Sequence, residues 1–405
     1  MWQNWASSGR HWCFLRQHFL STCITSCSIA LAGGLILSVW TIKDQANDAF
    51  VGVHAGFDAV LGARSSKLQL VLNSIFHVEA SPGNVAWEDY LDIREHPGIS
   101  HALPIAVGDN FRGYRLVGTL PELLQNIEHH PGQKYAISSG GRWMDPQRRE
   151  AVIGFFAAQQ LGLKVGDTFH PYHGLLYDEE KQHAETYVVV GLLEPTNSPA
   201  DRVLWIPLAG LQKMSGHDPQ AATDISAVLI KLKQPQSGFR MDMTINKQGN
   251  RLTFAWPVDQ IMAQLFQKIG WFDKILAMVA YLVAVVAAGG ILSGLYNTME
   301  ERRRDIAILR ALGARRRIIF GTILLESTVI ALVGAGLSFA IYAMIFEGAS
   351  GIIRHQTGVV IHPWQWHASM LWTPLSMILL GALAGCIPAL KAYHTPVAEN
   401  LTPIS

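Results

Sequence analysis

The sequence predicts a membrane α-helical protein with four transmembrane helices and a large α+β extracytoplasmic domain inserted between helices 1 and 2. Four runs of mostly apolar residues reach the roughly 20 residues that a helix needs to cross a bilayer. Charged residues make up only 16% of the 405 residues, below the roughly 25% of a typical soluble domain. A long polar stretch separates the first two runs, so the chain combines membrane and water-facing parts.

The apolar runs divide the chain into nine segments. The first run is longer than a signal-peptide core and is followed by no clear small-residue cleavage site, so we expect an uncleaved anchor. The predicted segments are a cytoplasmic N-terminus (1–18), transmembrane helix 1 (19–42), a periplasmic α+β domain (43–273), transmembrane helix 2 (274–298), a cytoplasmic loop (299–317), transmembrane helix 3 (318–346), a periplasmic loop (347–370), transmembrane helix 4 (371–390) and a cytoplasmic C-terminus (391–405).

The orientation follows from the basic residues, because loops rich in Lys and Arg stay in the cytoplasm. The loop 347–370 contains only one Lys or Arg, Arg354. Both termini and the loop 299–317 are therefore predicted to be cytoplasmic. That loop and its borders hold seven arginines: Arg302, Arg303, Arg304, Arg310, Arg315, Arg316 and Arg317.

The domain 43–273 has a mixed secondary-structure pattern. Segments 185–193 and 227–233 are rich in β-branched residues, which predicts strands. Segments 87–96 and 121–130 have the composition of helices, and the second begins with a proline. Helices and strands alternate without a regular βαβ rhythm, which favours an α+β fold over a doubly wound sheet.

Several function classes find no support in the sequence. It contains no G-x-x-x-x-G-K-[ST] phosphate loop, no H-E-x-x-H helix and no G-x-S-x-G turn, so the chain is predicted not to be an enzyme and to bind no cofactor itself. A net charge of +1 without a strongly basic domain argues against a nucleic-acid partner. All cysteines lie in or beside apolar runs, which excludes a disulfide-held secreted domain.

Histidines are the candidate metal ligands of the domain 43–273. They include His129, His130, His170 and His173. No cysteine or carboxylate accompanies them at a ligand-like spacing, so surface or partly buried histidines are favoured over a metal site. Asp201 is predicted to be a turn residue and not a catalytic acid.

The loop 299–317 contains more than charge. Residues 305–312 can form a short helix, and Gly313 suits the left-handed position that ends one. Ile308, Leu309 and Leu312 would then lie along one edge, which so small a loop cannot bury. The arginines are explained if they only keep this loop in the cytoplasm. The apolar edge is not explained in this way, and it indicates that the loop binds in a groove of another protein.

Residues 301–314 carry a family resemblance. Glu301-Arg302, followed by DIAILRALGA from Asp305, resembles the ER…EIGILRALGA signature of MacB/FtsX/LolC-type (type VII) ABC transporter permeases. Glu326 matches a glutamate usual in the family, and 387–401 resembles its C-terminal PALRA…PVEAL pattern. Asp305 stands where glutamate is commoner, which preserves the charge.

The resemblance implies a permease subunit in a bacterial inner (plasma) membrane, dimeric with an identical or paralogous protomer. ATP and Mg would bind a separate ABC ATPase subunit, and ATP hydrolysis would drive the periplasmic domain by mechanotransmission. The substrate would be lipophilic, a lipoprotein or peptide-like, and a periplasmic adaptor or lipoprotein would be a further partner. The resemblance assigns the ATPase-docking coupling helix to Glu301, Arg302, Asp305, Ile308, Leu309, Arg310, Leu312 and Gly313.

Two other functions stay open at this stage. One is an FtsX-like, ATPase-driven signalling scaffold that activates an external partner such as a cell-wall hydrolase. The other is an anchored receptor without an ATPase. The long domain 43–273 favours transport, because signalling relatives have smaller outer domains.

Residues within the spans are candidates for helix packing. Gly290 with Gly294, and Gly381 with Gly385, form G-x-x-x-G pairs that permit close helix contact. Packing within the chain is favoured over a dimer seam for both pairs. Glu326 is an acid deep in a span, and structural hydrogen bonding is favoured over proton relay because no ionisable partner is evident.

Overall fold

The chain folds into two units in a computed structural model that describes residues 19–51, 56–215, 223–301 and 303–394. The helical unit comprises the described residues of 1–44, 270–349 and 362–405. The α+β unit comprises the described residues of Gln45–Ile269 together with Ser350–Ile361.

Helices and strands alternate irregularly along the chain. The helices are α1 (Phe19–Val51), α2 (Lys67–Ser74), α3 (Trp87–Arg94), α4 (Glu122–Asn126), α5 (Phe155–Leu161), α6 (Leu208–Gln212), α7 (Pro235–Asp242), α8 (Val258–Glu301), α9 (Arg303–Ala311), α10 (Arg316–Thr357) and α11 (Ser369–His394). The strands are β1 (Ala59–Ala63), β2 (Ile99–Phe111), β3 (Tyr114–Thr119), β4 (Glu128–His130), β5 (Gln133–Lys134), β6 (Glu150–Ile153), β7 (Thr168–Phe169), β8 (Tyr172–His173), β9 (Tyr187–Leu192), β10 (Leu204–Pro207), β11 (Ala227–Leu232) and β12 (Leu252–Ala255).

Four helices of the described chain, α1, α8, α10 and α11, are long and apolar enough to cross a membrane, as predicted. All four are longer than the predicted spans, and two of them extend furthest: α8 begins at Val258 and α10 ends at Thr357. A span predicted from hydropathy ends where polar residues begin. The helix itself can continue further, as long as its residues pack against other parts of the chain. The first turns of α8 find such partners, because Val258 and Met262 are buried in the core of the α+β unit.

The helical unit has a core of small and aliphatic side chains. Along α8 the buried residues recur every three to four positions, which gives this helix one inward face. The opposite face of α8, with Leu282, Val285 and Val286, is exposed. The inward residues are Ala280, Ala284, Ala287, Ile291 and Leu295, and they pack with Ile29, Ile330 and Met377 of the other three long helices.

A mixed sheet organises the α+β unit. Its strand order is β12-β1-β11-β2-β3-β10-β6-β9-β7, with β8 paired to β2. The β3–β10 and β6–β9 pairs are parallel and the other pairs are antiparallel. This mixture, inserted between the first two long helices, confirms the predicted fold class.

Apolar residues cover both faces of the sheet. Ala59 and Leu61 of β1 point into one core cluster, and Val60 points into the other. This alternation follows from the two-residue period of a strand. Both clusters also receive helical side chains, among them Tyr90 and Phe156 on one face. The sheet is therefore buried on both sides.

The local predictions hold except in one segment. The predicted strands at 185–193 and 227–233 are β9 and β11, and the helix predicted at 87–96 is α3. The helix predicted at 121–130 was wrong beyond Asn126. Ile127 is extended, and the following residues pair as β4 with β5. The strand pairing overrides the helical composition of this segment.

Candidate functional site

The short helix α9 lies between α8 and α10 and ends on a left-handed glycine. Gly313 has φ 98°, and its N–H donates to the carbonyl oxygen of Arg310 at 3.0 Å. The N–H of Ala314 donates to the carbonyl oxygen of Leu309, also at 3.0 Å. These two bonds form a Schellman motif, which satisfies the last carbonyls of a helix. The helix therefore ends at a defined point.

The helix α9 has an inward and an outward side. Ala307 is buried, and Ile306 packs against a small cluster of Met299, Ile319 and Ala392. On the outward side Ile308 is 40% exposed and Leu312 is 64% exposed. These two residues are one helical turn apart, so their side chains form a single apolar edge.

This edge differs slightly from the predicted one. Leu309 and Arg310 are half-buried, so the exposed apolar pair is Ile308 and Leu312 rather than all three predicted residues. Glu301 is the last residue of α8 and Asp305 lies within α9, but their side chains are outside the described parts of the chain. Arg302 lies wholly outside the described residues.

Exposed basic residues follow the apolar pair along the chain. Arg315, Arg316 and Arg317 are exposed, and the guanidinium of Arg316 lies 5.7 Å from the ring centroid of Tyr393. The ammonium of Lys391 lies 3.8 Å from the ring centroid of Tyr296. Apolar side chains next to polar or charged ones are common at protein-binding surfaces. We call residues 303–317 the coupling segment.

The two G-x-x-x-G pairs have different surroundings. A Cβ added at Gly381 would lie 2.3 Å from Cβ of Ala331, and one at Gly385 would lie 2.1 Å from Oγ of Ser327. This pair therefore brings α11 into close contact with α10 of the same chain. A Cβ added at Gly290 would meet nothing within 4 Å among the residues that the structure describes, so the intrachain packing favoured from the sequence is not seen there.

Two further candidates from the spans are half-buried. Gly294 lies one turn after Gly290 on α8. Glu326 lies on α10 directly before Ser327, the residue that faces Gly385. Glu326 is thus placed beside a packed helix contact, and its role stays a prediction.

Sequence reasoning missed a segment that begins in the last turns of the third long helix. Residues Ser350–Ile361, which we call the latch segment, lie within the predicted loop 347–370 but belong to the α+β unit. The first part of this loop is not a loop, because α10 continues to Thr357. Nη2 of Arg354 donates to Oε1 of Gln159 at 3.1 Å, and Val359 and Ile361 are buried. These contacts continue the helix past its apolar run.

A turn of the α+β unit receives the latch segment. The N–H of Val360 donates to Oδ1 of Asn197 at 2.6 Å. The carboxylate of Asp201 orders this turn by accepting from the N–H groups of Thr196 and Asn197 at 2.9–3.1 Å. Burial raises the pKa of Asp201. Asp201 therefore lies in a turn, as predicted, but it is a buried structural acceptor.

The four candidate histidines do not share one environment. His129 is buried beside the ring of Tyr135, and burial lowers its pKa. His130 and His170 are half-buried, and His173 is half-exposed. The sequence expectation of surface or partly buried histidines thus fits three of the four.

Comparison with known proteins identifies the family of this arrangement. Residues 24–241, more than half of the chain, match the family model "MacB-like periplasmic core domain". Residues 277–397 match the model "FtsX-like permease C-terminal". The chain belongs to the MacB/FtsX-type ABC transporter permeases, which confirms the resemblance found in the sequence.

Individual relatives are distant. An uncharacterized ABC transporter permease of Methanocaldococcus jannaschii is 22% identical over 70% of this chain and 69% of its own length. An uncharacterized ABC transporter permease protein of Mycobacterium tuberculosis is 24% identical over 96% of this chain and 43% of its own. The macrolide export ATP-binding/permease protein MacB of Campylobacter jejuni is 25% identical over 55% of this chain and 34% of its own. The chain thus spans less than half the length of two of these three relatives.

Proposed function

We propose that the chain is the transmembrane subunit of an ABC transporter in which a separate ATPase subunit docks on the coupling segment. ATP and Mg bind the ATPase subunit, and two permease protomers, identical or paralogous, complete the complex. Membership of the MacB/FtsX-type family supports the role of a permease subunit. The exposed edge of α9 supports the place where the ATPase binds.

The exposed pair Ile308 and Leu312 carries this proposal. Burying a leucine or isoleucine side chain fully contributes about 1.5–3 kcal/mol. A partner that covers this edge gains about 0.6–1.2 kcal/mol from Ile308 and about 1–2 kcal/mol from Leu312, because the two side chains are 40% and 64% exposed. The Schellman motif at Gly313 holds α9 at a defined length, so the edge is already formed before a partner binds.

The proposed orientation places the coupling segment in the cytoplasm of a bacterial inner membrane and the α+β unit in the periplasm. The concentration of arginine between α8 and α10 supports this orientation. Mechanotransmission is supported by the two helices that flank α9. Both α8 and α10 contribute residues to the helical unit and to the α+β unit without a break in the helix.

The proposed substrate is lipophilic, a lipoprotein or peptide-like, and it is exported or extracted on the periplasmic side. The large α+β unit and a relative named for macrolide export support transport over signalling. A periplasmic adaptor or lipoprotein is a further proposed partner.

Affinity purification of the full chain from detergent tests the docking site. The Leu312→Glu variant is expected to retain at most one tenth of the ATPase subunit that the wild type retains, as identified by mass spectrometry. Leu176→Glu is the matched control, because Leu176 is also exposed but lies in the α+β unit. Equal retention by wild type and Leu312→Glu, or no ATPase on either, contradicts the proposal.

A second experiment separates transport from signalling. The purified complex is reconstituted in liposomes, and ATP hydrolysis is measured with added lipids, lipoproteins or peptides. Stimulation by one of these classes supports transport. Stimulation only by a protein such as a cell-wall hydrolase overturns transport in favour of the FtsX-like scaffold.

A further inference from the structure

Three potential metal ligands converge near the end of β2 in the α+β unit. They are Asp109, His173 and His183, and one ligand atom from each lies within 4.8 Å of the other two. Asp109 lies on β2, His173 lies on β8, and His183 follows a short 3-10 turn at Glu179–Lys181. No function described above uses this cluster.

Backbone pairing holds the three residues together. Asp109 and His173 are direct partners across the antiparallel β2–β8 pair, so their side chains project on the same side. Asp109 also lies within a register shift of β2 against β3, between Val107 and Asn110. Such irregularities commonly re-aim a side chain. The N–H of His183 donates to the carbonyl oxygen of Pro171 at 2.8 Å, which fixes the third ligand beside β8.

The distances within the cluster are compatible with a bound metal ion. Nδ1 of His173 and Nε2 of His183 each lie 3.3 Å from the same Oδ1 of Asp109. A charge-assisted N–H···O bond is typically about 2.7–2.9 Å long. Ligands about 2.0–2.1 Å from a tetrahedral zinc ion are about 3.3–3.4 Å apart. Both measured separations match the edge of such a tetrahedron.

The burial of the cluster supports a cation. Asp109 and the side chain of His183 are almost fully buried, while the side chain of His173 is 51% exposed. A buried carboxylate is costly unless positive charge or hydrogen bonds compensate it. Oδ1 of Asp109 accepts from the N–H of Gly174 at 3.4 Å, and a divalent ion adds positive charge beside this carboxylate. The half-exposed His173 leaves a path by which the ion enters.

We propose that Asp109, His173 and His183 bind one divalent transition-metal ion, of which Zn²⁺ best fits two imidazoles and one carboxylate in tetrahedral geometry. The ion has three protein ligands and one position open to water. The ion holds the segment between β7 and β9 against the end of β2. Asn110 holds the same segment, because its Nδ2 donates to the carbonyl oxygens of Gly174 and Leu176 at 2.9 and 3.1 Å.

Metal retention by the full chain tests the site. The purified protein in detergent is loaded with ZnSO₄, dialysed against zinc-free buffer and measured by plasma mass spectrometry. The wild type is expected to retain about one zinc per chain, and His173→Ala is expected to bind at least tenfold more weakly. His101→Ala is the matched control, because His101 is an exposed histidine on the same strand as Asp109. This variant is expected to retain zinc like the wild type.

A second readout guards against a folding defect. His173 is half-exposed, so His173→Ala is expected to keep the circular dichroism spectrum of the wild type. Co²⁺ replaces Zn²⁺ as a visible probe, and tetrahedral coordination gives a strong absorption band in the wild type and in His101→Ala only. Retention of no zinc by the wild type, or equal retention by His173→Ala and wild type, overturns the proposal.

Discussion

The coupling segment and the latch segment each contain a left-handed glycine at a helix end, but these glycines have different surroundings. Gly313 ends α9 with φ 98°, and Gly358 follows α10 with φ 79°. A Cβ added at Gly313 would meet none of the described residues within 4 Å, whereas one at Gly358 would lie 3.3 Å from Cβ of Arg202. The left-handed glycine of the coupling segment is therefore open on its Cβ side, whereas that of the latch segment packs against other residues of the chain.

The apolar residues of the two segments differ in the same direction. Ile308 and Leu312 of the coupling segment are exposed, whereas Val359 and Ile361 of the latch segment are buried. The latch segment is packed against other residues of its own α+β unit. The coupling segment presents an equally well-formed helix end whose apolar edge is still open, which is what a docking surface for a second protein requires.

The largest expected contrast comes from placing an acid in each segment. Val359→Asp introduces a carboxylate into a buried position and is expected to lower the free energy of unfolding by about 3–5 kcal/mol. Leu312→Asp is expected to change it by less than about 0.5 kcal/mol, because the site is exposed. Thermal unfolding in detergent measures both variants. Equal losses contradict the contrast between the segments.

The coupling segment was predictable because its signals are local. The residues DIAILRALG contain a helix, its apolar edge and the glycine that ends it within one short stretch. The four long helices were predictable for the same reason, because an apolar run needs no distant partner to be recognised. Leu309 shows the limit of this reasoning, since its partial burial depends on how α9 lies against the other helices.

The latch segment and the histidine cluster were not predictable because their partners are distant in sequence. Arg354 contacts Gln159, and Val360 contacts Asn197. Both partners precede α8 in the sequence. Asp109 meets His173 only because β2 pairs with β8. A single sequence shows no pairing of this kind, so these contacts appear only in the folded chain.

The contrast between open and filled surroundings extends to the glycines of the spans. Gly385→Ala places a Cβ 2.1 Å from Oγ of Ser327, so it is expected to destabilise the chain by about 1–3 kcal/mol. The Cβ that Gly290→Ala adds lies within 4 Å of none of the described residues. This substitution is therefore expected to be neutral or to stabilise α8 by up to about 1 kcal/mol. Unfolding in detergent compares the two. A loss at Gly290 as large as that at Gly385 indicates a partner on the open face of α8.

Alanine at Gly313 and at Gly358 tests the difference between the ends of the coupling and latch segments. Gly313→Ala and Gly358→Ala both force a left-handed backbone on an L-residue, at a cost of about 1–2 kcal/mol each. Gly358→Ala is expected to reduce stability further, because its Cβ also approaches Arg202 closely. Gly313→Ala is expected to weaken ATPase retention as well, since it disturbs the Schellman motif. Unchanged retention by a destabilised Gly313→Ala chain argues that the exact end of α9 does not matter for docking.

Acid provides the smallest test, and it acts on the α+β unit that holds the latch segment. Burial, together with the charge of Arg115, lowers the pKa of His77 to about 3, so the folded chain holds this imidazole neutral. The unfolded chain binds a proton near pH 6.5. Stability from this residue is therefore complete above about pH 6.5 and is lost as the pH falls towards about 3, at up to about 1.4 kcal/mol per pH unit. Between pH 7 and about 5.5, the melting temperature of wild type is expected to fall more than that of His77→Asn. Asparagine is the suitable replacement because it tolerates the left-handed backbone of His77, with φ 54°. An equal fall in both chains shows that other groups cause the acid sensitivity.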